Sequence, residues 1–168
     1  MLTQDRLKEV LSYDPDLGQF RWLVNVARRT NLKGSIAGCL DGKGYLTIKI
    51  DRKKYYGSQL AFLYMTGRFA RPTVDHKDRD PSNMRWNNLR EATRTQNCVN
   101  RKPMGRSGLK GACWQAKEQK WVARIRVNGR RLFLGMFDTA EEASAVYLTA
   151  ARQHHGEFAP GNHNAASI

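Results

Sequence analysis

The sequence predicts an α+β protein of two successive units, and three stretches carry that prediction. Between Val74 and Asn100, two short extended segments separated by a turn lead into a polar helix. Asn128-Gly129 later separates two runs of alternating residues, which is the strongest short-range signal for a β-hairpin. Thr139 and Glu142 then form a capping box before a helix. We therefore expect a hairpin-and-helix unit followed by a small three-stranded antiparallel sheet packed on one helix.

Composition limits the class of partner. The chain of 168 residues has a formal net charge of +14, and its Lys and Arg residues occur in every segment. This balance favours a polyanion. Because no long amphipathic basic helix is present, nucleic acid is favoured over a membrane surface. No apolar run reaches the length of a membrane span, and the N-terminus has no apolar signal region. We expect an intracellular, cytoplasmic protein whose partner is nucleic acid.

Cysteine usage indicates a reducing compartment. Cys39, Cys98 and Cys113 lie far apart and form no CxxC pair. Their spacing predicts neither a disulfide framework nor a structural zinc site.

The beginning of the chain is predicted to form a short helix and a strand. Thr3 can cap a helix that places Leu7, Val10 and Leu11 on one face. The turn from Asp14 to Gly18 is expected to end this helix directly. Residues 20–24 then alternate between apolar and polar, as in a half-buried strand.

A second strand and a helix follow. Residues 45–50 are predicted to be a strand that places Leu46, Ile48 and Ile50 on one face. A turn at residues 51–54 leads to Tyr55 and Tyr56, which we expect to be core or rim residues. The basic tip from Arg52 to Lys54 is explained equally well by a solvated turn and by a phosphate contact. Residues 58–67 show helical spacing, with glycine closing the helix.

The stretch from Val74 to Asn100 carries the residues suited to chemistry. Asp75-His76 follows a short apolar step, and the turn-forming residues 78–83 predict a chain reversal. Asn88-Leu89-Arg90 is predicted to open a second strand, and residues 93–100 are predicted to be helical.

The pattern DHxDxxxxNxxxNNLRxATxxQN in this stretch resembles the HNH, or ββα-metal, nuclease motif, in the variant whose last histidine is replaced by asparagine. The resemblance implies that His76 is the general base and that Asp75 and Asn97 hold one divalent cation. It also implies that Asn88 braces the hairpin and belongs to the catalytic set. The layout before the motif is similar to the N-terminal part of phage-type HNH homing endonucleases.

Elementary chemistry agrees with these roles. Phosphodiester hydrolysis needs a base with a pKa near neutrality, which histidine has without any shift. It also needs a hard cation to neutralise the charge that develops on the phosphate and on the leaving oxygen. One carboxylate and one amide would leave most of the coordination shell to water and phosphate. This donor set favours Mg²⁺ or Mn²⁺, one per active site.

The C-terminal part is predicted to be a second domain after a basic linker. Residues 101–108 contain glycine, proline and basic residues and no acid, as in a linker. Strands are expected over residues 109–115, 120–127 and 131–137, with Leu132 and Leu134 alternating with Arg131 and Phe133. The capped helix after Thr139 should end at Gly156, and residues 159–168 are expected to be a tail.

The segment from Gly111 to Ala151 resembles an AP2-type DNA-binding domain, most closely in LG-F-T-EEA-A-Y-AA. The resemblance implies that the sheet lies in the major groove of DNA. The implied contact residues are Lys110, Gly111, Cys113, Gln115, Arg124, Arg126, Arg131 and Phe133. Plant members carry arginine at positions 113 and 115 and tryptophan at 133, so the target sequence does not transfer. We expect Arg124 and Arg131 to bind phosphate and leave Arg126 open between phosphate and base.

Together these features predict a monomeric, metal-dependent, homing-type endonuclease that nicks double-stranded DNA. Its predicted parts are an HNH domain at 1–100, a linker at 101–108, an AP2-like domain at 109–158 and a tail. A regulator that keeps the nuclease fold without activity is the alternative. An RNA-directed or nonspecific nuclease is a third possibility, in which the C-terminal domain would not select the site.

Overall fold

A computed structural model describes residues 1–25, 32–103 and 105–160. The chain divides into two compact units, Met1–Arg94 and Thr95–Ile168. Each unit has its own apolar core. The expected boundary after residue 100 and the linker at 101–108 remain predictions. Residue 104 of that linker and residues 161–168 of the expected tail lie outside the described residues.

The first unit begins with helix α1, Gln4–Val10, as predicted. The Thr3 hydroxyl caps it by accepting a hydrogen bond from the Arg6 N–H at 3.2 Å. Strand β1, Leu11–Asp14, follows at once and pairs antiparallel with β2, Gln19–Trp22. The prediction that the turn directly follows the helix is therefore wrong. An apolar residue at position 11 fits the buried face of the helix as well as that of the strand. The spacing of apolar residues therefore could not show that the helix ends before Leu11.

A three-stranded antiparallel sheet comes next, made of β3 (Cys39–Leu40), β4 (Leu46–Ile50) and β5 (Lys53–Tyr56) in that order. A two-residue turn joins the last two strands, with positive φ at Asp51 (46°) and Arg52 (66°). Strand β5 consequently begins two residues earlier than predicted. Ile48 and Ile50 are buried in the core, which confirms their shared inward face.

Helix α2, Gly57–Thr66, then packs Leu60 and Leu63 into the core and ends at Gly67 with φ 77°, as predicted. Among the described residues, no helix combines the length and the apolarity needed to cross a bilayer.

The predicted hairpin is formed by β6, Thr73–His76, and β7, Leu89–Ala92, which pair antiparallel. Asn88 does not open the second strand, which corrects the prediction. Asn88 is instead the last residue of a 3₁₀ turn, Trp86–Asn88. Its buried side chain is held by hydrogen bonds rather than by strand pairing. Helix α3, Arg94–Asn100, begins one residue later than expected.

The second unit contains β8 (Ala112–Gln115), β9 (Lys120–Val127) and β10 (Arg130–Phe137), in the sheet order β10-β9-β8. Asn128 and Gly129 turn the chain between β9 and β10 with φ values of 49° and 81°, as their residue types require. The first strand is three residues shorter than predicted.

Helix α4, Ala140–His155, has the predicted capping box between Thr139 and Glu142 and is followed by a 3₁₀ turn, Gly156–Phe158. The core of this unit joins one face of the sheet to α4 through Ala123, Ile125 and Tyr147. The ladder shifts register between Phe133 and Gly135, which marks a β-bulge. The simple alternation predicted for this strand is wrong there: Leu134 packs against the core, whereas Leu132 is 39% exposed.

Candidate functional site

His76 lies at the end of β6, where the hairpin is closed off from water. Val74, Asp75 and His76 are each less than a tenth exposed. Tyr45 makes an edge contact with the imidazole ring, with centroids 6.1 Å apart and planes at 61°. This contact was not predicted, because Tyr45 precedes a different strand.

Burial also sets the protonation of this side chain. Removal from water lowers the pKa of His76 below its ordinary value. Three nearby carboxylates oppose that shift, in decreasing order those of Asp78, Asp75 and Asp80. The balance favours the neutral imidazole at neutral pH, which is the form that accepts a proton.

Asp75 forms a buried ion pair with its cross-strand neighbour. It stands opposite Arg90 in the β6–β7 register. Its Oδ2 accepts from Arg90 Nε at 2.9 Å and lies 2.8 Å from Nη2. The two side chains are only 4% and 10% exposed. Sequence reasoning gave Arg90 no role, although pairing the two predicted strands in register would have placed these residues opposite each other.

Asn88 ties the two ends of the β6–β7 loop together. Its Oδ1 accepts from the Asp78 N–H at 3.0 Å. Its Nδ2 donates to Asp78 Oδ1 and to the Asn83 carbonyl, each at 3.0 Å. The backbone adds a bond from the Lys77 N–H to the Asn88 carbonyl at 2.9 Å. These bonds join both ends of the loop to one side chain, and the catalytic part of the predicted role of Asn88 stays a prediction.

The loop closed by Asn88 is held by its own side chains. Asp78 Oδ2 accepts from Asn83 Nδ2 at 2.7 Å, and Oδ1 accepts from the Asp80 N–H at 2.9 Å. Asp80 Oδ1 accepts from both the N–H and the hydroxyl of Ser82. These bonds produce the predicted chain reversal and fix the loop that follows His76.

A metal ion at this hairpin would rely on few protein ligands. Among the described residues, no three His, Cys, Asp or Glu side chains are grouped to hold a metal. The donors expected from the sequence are instead one carboxylate, Asp75, and one amide, Asn97. A carboxylate has two oxygens with several lone pairs, so Asp75 can bind both Arg90 and a cation. Two hard oxygen ligands fit Mg²⁺ or Mn²⁺, which keep much of their water shell. Asn97 lies on α3, in the second unit.

The sheet of the second unit presents most of the predicted DNA-contact residues on one face. Arg124 stands opposite Phe133, and directly opposed residues share a face. Arg126 stands opposite Arg131 two residues farther along. Phe133 is 58% exposed, and the three arginines are also exposed. By register and alternation, six predicted residues share this outer face: Cys113, Gln115, Arg124, Arg126, Arg131 and Phe133.

The other two predicted contact residues serve the packing of this unit. The Lys110 carbonyl accepts from the Ser144 hydroxyl of α4 at 2.9 Å, and its Nζ donates to the Arg101 carbonyl at 2.7 Å. Gly111 has φ 82°, and a Cβ there would lie 2.0 Å from the Tyr147 ring. The sheet and α4 approach closely at this point because glycine has no side chain.

The chain is similar to known proteins in sequence and in structure. A family model described as HNH endonuclease matches residues 55–99. Protein 3.8 of Escherichia phage T7 is 33% identical over 88 residues, which are 51% of this chain and 72% of that protein. A solved structure described as DNA binding and cleavage by the HNH homing endonuclease I-HmuI is 18% identical, covering 87% of this chain and 85% of its own. The TM-score of this match is 0.43.

Proposed function

Because the chain belongs to the HNH endonuclease family, we propose that it is a metal-dependent, site-directed endonuclease of double-stranded DNA. In this proposal it acts as a monomer of homing type and nicks one strand. The observation that carries the proposal is the position of His76. The imidazole ends a buried strand, favours its neutral form and adjoins a carboxylate fixed by Arg90. These are the properties of a general base beside a cation ligand.

The protein's own residues would divide the chemistry as follows. His76 takes a proton from a water molecule, whose oxygen forms a bond to phosphorus as the bond to the 3′ oxygen breaks. The 3′ oxygen gains a proton from solvent, so the products are a 5′-phosphate and a 3′-hydroxyl. Arg90 orients Asp75, and Asn88 holds the loop beyond the base. Asp75 and Asn97 would hold a divalent cation, which would neutralise the charge that develops on the phosphate and on the leaving oxygen.

The second unit is proposed to be an AP2-like reader of DNA. Its outer face combines three exposed arginines with an exposed phenylalanine and, in its strand residues, has no carboxylate. Such a surface can bind phosphates by charge and can contact bases in a groove. The exposed positions of Arg124, Arg126 and Arg131 support this role. Lys110 and Gly111 would act by holding the sheet on α4.

A plasmid assay tests the proposed reaction. Supercoiled DNA should be converted to the open circle in Mg²⁺ or Mn²⁺ and should remain intact in EDTA. A DNA ligase should reseal the nick, because it requires a 5′-phosphate beside a 3′-hydroxyl. Cleavage that is unaffected by EDTA, or nicks that ligase cannot seal, would contradict the proposed chemistry.

One observation favours the alternative of an inactive DNA-binding regulator. Arg90 already neutralises Asp75, which lowers the attraction of this carboxylate for a cation. A regulator would bind DNA with the same strong salt dependence and would not nick it in either metal. Binding without any nicking across a library of DNA sequences would favour the regulator.

A further inference from the structure

The sheet β3–β4–β5 has one face in the core and an outer face on which Lys49 and Lys54 are exposed, whereas Thr47 between the strands is only 3% exposed. Ile48 and Ile50 fill the inner face. The outer face is defined by its register, in which Cys39 opposes Thr47, Thr47 opposes Tyr56, and Lys49 opposes Lys54. Among these strand residues there is no carboxylate. We call this set, together with Tyr45 just before β4, the tyrosine–lysine face.

Two tyrosines are exposed on this face, although core packing does not require them there. Tyr45 is 39% exposed and Tyr56 is 52% exposed, and their rings meet edge to face at 5.8 Å. Tyr55 behaves differently: it is half-buried and stacks on Phe69. The expectation that both adjacent tyrosines are core or rim residues therefore suits Tyr55 better than Tyr56.

The two lysines of this face are close enough to repel each other when no anion is bound. Lys49 and Lys54 are both exposed and stand directly opposite each other on neighbouring strands. Like charges at such positions destabilise a sheet. The carboxylate of Asp41 offsets part of this repulsion through its charge interaction with Lys54, although its Oδ1 also accepts from the N–H groups of Lys43 and Tyr45. An anion bound across the two lysines would remove the repulsion.

The tyrosine–lysine face is continuous with the proposed catalytic hairpin. Tyr45 contacts both Tyr56 and the His76 imidazole, so a single ring joins the two surfaces. The turn before β4 also approaches the β6–β7 loop, because a Cβ on Gly44 would lie 3.3 Å from Pro81 Cγ. A strand of DNA with its phosphate at His76 would therefore continue onto this face.

On the basis of the nuclease function proposed above, we infer that the tyrosine–lysine face binds the DNA strand next to the phosphate that is cut. Lys49 and Lys54 bind phosphates, and Tyr56 packs against a base or deoxyribose with Tyr45 behind it. Aromatic rings flanked by lysines are suited to this ligand, since each phosphate carries a charge and an exposed ring can pack against a deoxyribose or the edge of a base in a groove. The contact is independent of the arginines of the second unit.

The charge contribution is measured with the full chain in EDTA, where binding is separated from cutting. The probe is a short, fluorescently labelled duplex of mixed sequence, titrated at several salt concentrations. Lys49→Gln with Lys54→Gln should reduce the slope of log K against log salt by about 1.8, since each phosphate contact contributes about 0.9. Lys8→Gln should leave the slope unchanged, because this exposed lysine belongs to α1 and lies over the Tyr64 ring rather than on the tyrosine–lysine face.

The aromatic contribution is measured on the same probe. Tyr56→Ala should weaken binding about tenfold, whereas Tyr56→Phe should bind like the unaltered chain. Leu17→Ala removes an equally exposed apolar side chain on the β1–β2 turn and should have no effect. The melting temperature of each variant shows whether it is folded. We expect it to be unchanged, because the substituted side chains are exposed.

The outcomes separate this inference from the proposed function. Wild-type slope and affinity in all of the lysine and tyrosine variants would overturn the inference, even if the unaltered chain nicks plasmid. A smaller salt slope in the lysine variant and weaker binding by Tyr56→Ala would support DNA binding by the tyrosine–lysine face. That result would stand even if no metal ion produces a nick and the nuclease proposal fails.

Discussion

The β6–β7 hairpin and the β8–β10 sheet use charged residues in opposite ways. The hairpin buries Asp75 and Arg90 together and places His76 in the same dry environment. The sheet leaves Arg124 and Arg131 in water. A buried charge must be matched by a partner at short distance, and the resulting fixed geometry suits chemistry. Exposed charges cost little and bind phosphate without a fixed geometry.

The largest difference between the two regions should appear in stability. Arg90→Ala removes the guanidinium from a buried carboxylate and should lower the free energy of unfolding by about 3 kcal/mol. Arg124→Ala should change it by less than about 0.5 kcal/mol, because the side chain is exposed. Urea denaturation of the two variants checks this contrast. Equal stability of both would show that the buried pair is not required for the fold.

A smaller loss is expected when the loop brace is removed. Asn88→Ala eliminates the three side-chain hydrogen bonds of a buried amide and should cost about 2 kcal/mol. It should also slow nicking, because the loop after His76 loses its fixed geometry. Asn87→Ala is the matched control, since this neighbouring side chain is exposed. Similar urea midpoints for the two variants would refute the bracing role.

The second unit should respond in binding rather than in stability. Arg124→Gln should lower the slope of log K against log salt by about 0.9 and leave the urea midpoint unchanged. Arg152→Gln, an exposed arginine of α4, is the charge-matched control. A slope that falls equally for both would mean that DNA responds to total charge and not to the sheet face.

The smallest effect is a pH dependence at the rim of the hairpin. Hydrogen bonds from Arg68 and from the Arg71 N–H lower the pKa of Glu91 from 4.5 to about 2. Because the folded pKa is depressed, the stabilisation is complete above pH 4.5 and is lost as pH falls toward 2. Glu91→Gln should flatten the melting temperature over that range, whereas Asp16→Asn, on an exposed turn, should not. Parallel curves for the two variants would contradict the assignment.

The elements that sequence predicted well are those with local signals. Asn128-Gly129 specified the β9–β10 hairpin, and Thr139 with Glu142 specified the start of α4. The two-residue strand β3 and the bulge at Leu134 have no such signal. Both depend on pairing with another strand, which periodicity within one segment does not encode.

In the candidate site, too, the residues with a local sequence signal were predicted and their distant partners were not. The resemblance to HNH nucleases predicts roles for His76, Asp75, Asn88 and Asn97, and the hairpin that carries the first three was predicted. The partners of these residues come from elsewhere in the chain and were missed. Arg90 reaches Asp75 across the hairpin, and Tyr45 reaches His76 from the sheet before it. Such contacts follow from strand register and tertiary packing rather than from spacing.

The most direct test of the account is the nicking rate of His76→Ala in Mg²⁺, measured beside His154→Ala, an exposed histidine of α4. Loss of the general base should slow nicking by about 10²- to 10⁴-fold while the affinity for DNA is unchanged. The His154 variant should nick like the unaltered chain. A His76→Ala protein that nicks at the unaltered rate would contradict the assignment of the base.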